Sequence, residues 1–394
     1  MNKEETTVKK IIEDVRKSGD AAVAKYAKKF EKIDISAAEL RVTPQEMEEA
    51  FSSVGSEFIS TVRLAARNIR AYHEKQKQNE WFDTLPDDVV LGFRIIPIES
   101  VGLYVPAGRA VYPSSVLMNA IPAKIAGVKR IVMAVPCGKN KKVNPYILAA
   151  AKEAGISEIY KMGGAQAIAA LAIGTRKIQK VDKIVGPGNI FVTLAKKLLF
   201  GEVGIDKLAG PSDVVIIADE SADIRFISSD MAAQAEHDPN SKAILISTSD
   251  DILRDAKAQM KKIKRTKQCR FYKAKDLDDA ARISNEIAPE HLELLVSVPH
   301  ALLEKITNAG AVFMGPYSPV AVGDYLAGPN HVLPTDGTAR FSSPLGVWDF
   351  VKYQSVIGYT KPALSRVRKD LIRFSSIEGL KAHGESVNIR FKEF

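Results

Sequence analysis

Cysteine is scarce in these 394 residues: only Cys137 and Cys269 occur, neither in a cysteine pair nor beside a histidine. That leaves no disulfide framework and fits a reducing compartment. No apolar stretch is long enough to span a bilayer, and the charged start from Lys3 to Glu5 lacks an apolar secretory core. A cytoplasmic protein with no membrane partner is therefore expected. Internal repeats, low-complexity tracts and a Gly-x-Gly-x-x-Gly fingerprint are all missing. A nucleic-acid partner is not expected either: the net charge of +9 comes from 56 basic and 47 acidic residues spread over many helix faces. The densest basic run, Lys261 to Lys267, reads as the solvated end of a surface helix. A dispersed positive field would still help to recruit an anionic dinucleotide.

What is present is ordinary in bulk, with 46% hydrophobic and 26% charged residues, and too long for one typical core, so two α/β domains are expected. Val8, Ile11, Ile12 and Val15 recur at helical spacing, and Gly19 interrupts the pattern before Ala22, Val23 and Tyr26 resume it. This predicts a helical hairpin over Thr7 to Phe30. Pro44 opens a longer predicted helix carrying Met47, Phe51, Phe58, Val62 and Ile69 on its apolar stripe. From there short β-branched runs alternate with helical stretches: Arg130–Val135, Glu158–Met162, Lys183–Val185, Val214–Ala218, Ala243–Ser247, Leu292–Val296 and Ala311–Met314. Such alternation implies parallel sheets built from crossover units, with strands enough for two. Proline and glycine clusters at Val105–Gly108 and Ala209–Pro211 read as two crossings between domains. The expected division is residues 1–103 with 212–350 as a larger discontinuous domain, 104–211 as an insert, and 351–394 as a helical tail that ends in a β-like stretch, Ser386–Phe391.

Polar islands interrupt this pattern: Gln234 with His237, Glu290 with His291, Asp324 followed by His331, and Glu378 with His383. They hold four of the six histidines. Uncompensated nitrogen and carboxylate groups are costly in buried strands and tight loops, so a shared partner is expected, and these ligand types favour zinc. Gln234 and His237, three residues apart on a helix, project from one face and can reach one ion. Singly, each island has an ordinary reading. Asp324, in a predicted Gly-Asp-Tyr turn, is also a turn cap; His383 also suits a helix C-terminus. Glu290 and His291 stand at the entrance to a buried strand, where an imidazole can take an alcohol proton and a carboxylate can orient or deprotonate water. Two strand–glycine–helix turns, Gly163–Gly164 before Gln166–Leu171 and Gly186-Pro187-Gly188-Asn189, offer helix N-terminal amides for the phosphates of a dinucleotide, and glycine turns of this kind also serve packing alone.

The runs VGLYVP (101–106), GGAQAIAAL (163–171), GPGN (186–189), AGPS (209–212), QAEH (234–237), PEHL (289–292) and GDYLAGPNHVLPT (323–335) together closely resemble the histidinol dehydrogenase family, over nearly the whole chain and in the family's order. The resemblance implies a fold of two incomplete Rossmann-like domains with parallel sheets, aldehyde-dehydrogenase-like, plus a small C-terminal helical tail. It implies a zinc-dependent, four-electron alcohol dehydrogenase that oxidises L-histidinol through L-histidinal to L-histidine with two NAD+, the last steps of histidine biosynthesis. Carried over by position, it makes Gln234, His237, Asp324 and His383 the zinc ligands, which also hold the substrate. Glu290 and His291 become the acid/base pair, His291 taking the hydroxyl proton and Glu290 activating water. Ser212, His331 and Glu378 become substrate contacts, and Tyr104, Gln166 and Asn189 hold NAD. The family is a homodimer with shared active sites, so Glu378 and His383 are expected to act in the partner subunit. Family members usually carry a further N-terminal helical segment that contributes to dimer contacts, ahead of the helix near Thr7; of the properties the resemblance implies, dimer stability is the one this departure bears on.

Two other functions compete. One is a related zinc- and NAD-dependent dehydrogenase of another small alcohol such as a sulfonated diol, against which His331 and Glu378 argue: both match histidinol-recognising positions in the resemblance, and an acidic Glu378 suits an amine or imidazole better than a sulfonate. The other is a catalytically silent metal- or nucleotide-binding protein, for which the Glu290 and His291 pair would be superfluous.

Overall fold

Val8, Ile11 and Val15, spaced one helical turn apart, bury one side of the helix Lys3–Ser18. Gly19, at φ 49°, ends it and the helix Asp20–Tyr26 follows, so the expected hairpin is present. The computed structural model describes residues 3–107, 111–237, 239–264 and 266–392, with the backbone alone for His237; part of the Val105–Gly108 cluster falls outside them.

The single long helix expected after Pro44 is two helices. Thr43 and Glu46 form a reciprocal capping box at the start of Pro44–Ser53, and Val54 then turns extended, at φ −92° and ψ 145°. A second helix, Ser56–Glu74, resumes with Ile59, Val62, Ala65, Ile69 and His73 buried. The apolar stripe runs through the break because both helices pack into adjoining cores; Gly55, a poor helix former, marks it.

Residues 1–76 and 98–350 form one compact unit. It contains two five-stranded sheets, both parallel throughout. The first has the order Glu158–Lys161, Arg130–Val135, Ser100–Tyr104, Lys183–Val185, Gly204–Ile205. Its central strand lies in the VGLY run, read in the sequence as a motif. Alternate residues enter opposite cores: Leu103, Met133 and Val135 on one face, Tyr104, Val132 and Ala134 on the other. Both faces are covered, as an all-parallel sheet requires. The second sheet has the order Cys269–Lys273, Lys242–Ser247, Asp213–Ala218, His291–Leu295, Ala311–Met314. Val214, Ile216 and Leu245 face one core, Val215, Ile217 and Ile246 the other. The edge strand Cys269–Lys273 escapes a hydrophobic reading because most of its residues are not buried.

Residues 77–97 and 351–394 form a second unit. Its antiparallel sheet pairs Trp81–Leu85 and Val351–Gly358 with the central strand Val89–Pro97. The tail beyond Asp349 therefore begins as a strand before the helices Lys361–Ile377 and Lys381–Asn388. The β-like end expected at Ser386–Phe391 is helical. Its alternating Val387, Ile389 and Phe391 mimic a strand, but the Arg368 guanidinium donates to Asn388 Oδ1 and lies 4.8 Å over the Phe391 ring, holding the segment against the preceding helix.

Candidate active site

Ser212 and Asp213 lead into one strand of the second sheet, and Glu290 and His291 lead into its parallel neighbour, with His291 level with Val214. The register therefore sets the four polar residues side by side at the edge where these strands begin. Glu290 and His291 are 7% and 4% exposed. The Asp213 carboxylate accepts the Glu290 backbone N–H at 2.7 Å. The Ser212 hydroxyl donates to Glu290 Oε2 and accepts from the Gln234 side-chain amide at 2.9 Å. Gln234 comes from the helix Ile224–His237. A Cβ on Gly310 would stand 2.6 Å from the Glu290 carbonyl oxygen, so glycine alone lets the adjoining chain pass so close.

His291 Nδ1 lies 3.1 Å from the Asp213 carbonyl oxygen. A carbonyl only accepts, so Nδ1 carries a hydrogen, and in the neutral ring Nε2 holds the lone pair. Nε2 is buried without a hydrogen-bond partner among the described residues and stands 3.8 Å from Asp324 Oδ1. Burial opposes the imidazolium, but the carboxylates of Glu290 and Asp324 outweigh it and raise His291 to about 9. Glu290, 3.8 Å from His291 Nδ1, has its carboxyl pushed above the usual range by burial, against the opposing field of His291 and the Ser212 hydrogen bond. The pair is thus a ring that binds protons firmly beside a carboxyl that ionises late.

Asp324 lies in a short helix, Val320–Tyr325, rather than the expected turn. Its backbone carbonyl accepts from His331 Nδ1 at 2.9 Å, which leaves His331 Nε2 to accept from the Ser115 hydroxyl at 3.2 Å. Burial holds His331 below its ordinary value, so it is a neutral ring. A cavity of about 600 Å³ opens here, with His291, Asp324 and His331 in its polar wall and Phe313, Leu345 and Trp348 among its apolar residues. Its volume is that of a small-molecule site.

Tyr104, Gln166 and Asn189 meet around a separate cavity of about 310 Å³ at the edge where the strands of the first sheet end. The helix amides expected to be open to phosphate are engaged. Gly164 N–H donates to the Tyr104 hydroxyl at 3.0 Å, and Gly163 N–H donates to the Glu31 carboxylate. Asn189 Oδ1 accepts from Phe191 and Val192 at 3.0 and 3.2 Å, capping the helix Ile190–Leu199. Burial pushes the Tyr104 hydroxyl up to about 12, keeping it a neutral hydrogen-bonding group. The GPGN loop is braced from beneath: Gly186 N–H donates to Asp206 at 2.8 Å, and Lys196 donates to the Gly186 carbonyl at 3.0 Å and to Asp206. A Cβ on Gly186, at φ +112°, would stand 2.2 Å from the Tyr104 carbonyl oxygen.

Of the residues picked from sequence, Ser212, Gln234, Glu290, His291, Asp324 and His331 are joined by this chain of contacts. The His237 side chain lies outside the described residues. Glu378 sits at the end of the helix Lys361–Ile377 and His383 on Lys381–Asn388, both in the second unit. Among the described residues no group of three or more His, Cys, Asp or Glu is placed to hold a metal. Gln234 and Asp324 nevertheless suit zinc as oxygen donors, and the unpartnered Nε2 of His291 beside Asp324 marks a place built for something more than the side chains present. Sequence reading missed Asp213, Ser115 and Glu31. Asp213 had a signal, a carboxylate opening an otherwise apolar strand; Ser115, inside a helix of mixed small residues, had none.

The histidinol dehydrogenase family profile matches residues 1–391. The chain is 49% identical to the histidinol dehydrogenase of Syntrophotalea carbinolica, with 99% of this chain and 93% of the relative covered. For that of Bacillus subtilis the identity is 48%, over 98% and 92%. The crystal structure of histidinol dehydrogenase from Elizabethkingia anophelis superposes with a TM-score of 0.93 at 36% identity, covering 99% of this chain and 92% of that one. With motifs, fold and full-length similarity in agreement, the chain belongs to the histidinol dehydrogenase family.

Proposed function

We propose that L-histidinol occupies the cavity walled by His291, Asp324 and His331, and that this chain oxidises it through L-histidinal to L-histidine with two NAD+. Histidinol dehydrogenases are zinc- and NAD-dependent oxidoreductases of histidine biosynthesis. The observation that carries the site assignment is the placement of His291, which lines the cavity: Nδ1 is committed to the Asp213 carbonyl, and Nε2, the basic nitrogen of the neutral ring, is buried without a hydrogen-bond partner among the described residues.

In the first oxidation His291 Nε2 takes the hydroxyl proton as hydride leaves the carbinol carbon for NAD+. The imidazolium so formed is stabilised by Glu290 and Asp324. Glu290 then takes a proton from water as the water oxygen adds to the aldehyde, and the His291 imidazolium returns its proton to the carbonyl oxygen, giving the hydrate and a neutral ring; a carboxyl raised by burial suits proton transfer near neutrality. His291 accepts a hydroxyl proton of the hydrate in the second oxidation, which leaves a carboxylate. Gln234, His237, Asp324 and His383 would hold the zinc, which supplies a Lewis-acid anchor for the substrate's amine and imidazole. Ser212, His331 and Glu378 orient the substrate, and the insert 104–211 presents Tyr104, Gln166 and Asn189 to NAD.

The working form is a cytoplasmic homodimer in which Glu378 and His383 serve the partner's site. In support, the second unit leaves Ile357, Phe374 and Ile377 at 71%, 67% and 77% exposure, apolar side chains available to a partner's surface. The test is NADH formed per L-histidinol consumed. Two equivalents are expected; one equivalent means the aldehyde is released, and turnover of a sulfonated diol in place of histidinol overturns the substrate.

A further inference from the structure

We propose that Glu31 selects NAD over NADP, its carboxylate accepting hydrogen bonds from the adenosine ribose hydroxyls and rejecting a phosphate on the 2′ oxygen. The inference rests on assigning the Tyr104, Gln166 and Asn189 cavity to the dinucleotide. Glu31 ends the π-helical turn Ala27–Glu31 that follows the N-terminal hairpin, and it lines that cavity together with Phe30 and Tyr104. Among the described residues of the lining it is the only charged side chain.

Its existing partners fix its direction and leave it capacity. Gln166 Nε2 donates to Oε1 at 2.8 Å and Gly163 N–H donates to the same carboxylate. A carboxylate has about four acceptor sites, so roughly two remain for a ligand, and a ribose diol supplies two donors at matching spacing. Dinucleotide folds commonly place an acid against this diol and an arginine against a 2′-phosphate. Here the acid comes from an appended N-terminal segment instead of a strand end, and no lysine or arginine among the described lining residues would offset a phosphate dianion. Burial raises the carboxyl, a sign that water screens this position poorly, so repulsion between like charges is strong when both are ionised.

The test is steady-state kinetics of the full-length holoenzyme with NAD+ and NADP+, comparing the parent with Glu31→Gln and Glu31→Ser. Each variant should raise the ratio of kcat/KM for NADP+ over NAD+ by about tenfold or more, chiefly through a lower KM for NADP+. Far-UV circular dichroism and the urea midpoint of each variant, compared with the parent, report whether it folds, and two variants guard against one failing to fold. Asn189→Ala, measured in parallel, should raise the KM for NAD+. If it does while both Glu31 variants leave the ratio unchanged, the cavity assignment stands and Glu31 is not the selector. If no variant shifts either KM, the cavity assignment fails and the selectivity proposal with it.

Discussion

The Nδ1 atom of His291 stands 3.1 Å from the backbone carbonyl oxygen of Asp213, and the contact reserves Nε2 for proton transfer. Asparagine at this position keeps a donor for the carbonyl but has no basic nitrogen. His291→Asn should therefore lower kcat by about two to four orders of magnitude while leaving bound zinc in place. Turnover and metal content of the same preparation decide it; unchanged turnover would remove His291 from the chemistry.

Metal dependence follows from the donor set. A chelator should abolish histidinol oxidation and added zinc restore it, with an Asp324→Ala variant retaining less zinc after gel filtration. Full activity in a sample shown to be metal-free would exclude the ion from the reaction.

The brace under the GPGN loop gives a stability prediction that is separable from catalysis. Lys196 and Asp206 are buried together, their side chains 3% and 1% exposed. Lys196→Met strands the carboxylate and should cost about 3–5 kcal/mol of folding stability. It should also raise the KM for NAD+, because Asn189 follows the same loop. Denaturant melts and cofactor titration check the two effects, and an unshifted midpoint would contradict the first.

His73 is wholly buried, its Nδ1 donating to the Ile69 carbonyl at 2.8 Å. Burial holds its pKa below the ordinary 6.5. The unfolded chain takes up this proton near pH 6.5 and the folded chain only at lower pH, so stability is full above that point and declines as pH falls between the two values. Between pH 7.5 and 5.5 the loss of stability should be smaller for His73→Gln than for the parent, as read from urea midpoints. Parallel pH profiles would refute this.

Much of the fold is legible because the buried parallel strands are continuous apolar runs and the crossover helices are periodic. The break at Val54–Gly55 is less visible, since tertiary packing continues the stripe across it. The edge strand Cys269–Lys273 and the helical end of the tail are also hidden: the first has little to bury, and the second alternates by coincidence. At the site, islands such as Glu290–His291 stand out because charge is expensive where the neighbours are apolar. What orients them does not, because backbone carbonyls such as that of Asp213 have no signature in the alphabet of side chains. Glu31 is hidden likewise, in a charged stretch whose approach to Gln166 is purely tertiary.

The second sheet carries Ser212, Asp213, Glu290 and His291 at its leading rim, while its trailing rim is closed by Asp219, which accepts from the backbone amides of Ser221 and Ser297. Mutation therefore meets different constraints at the two ends of the same strands. At one end a change alters chemistry and is filtered by fitness; at the other it meets only the demand that loops stay closed, so relatives should diverge, lengthen and acquire new surface there first.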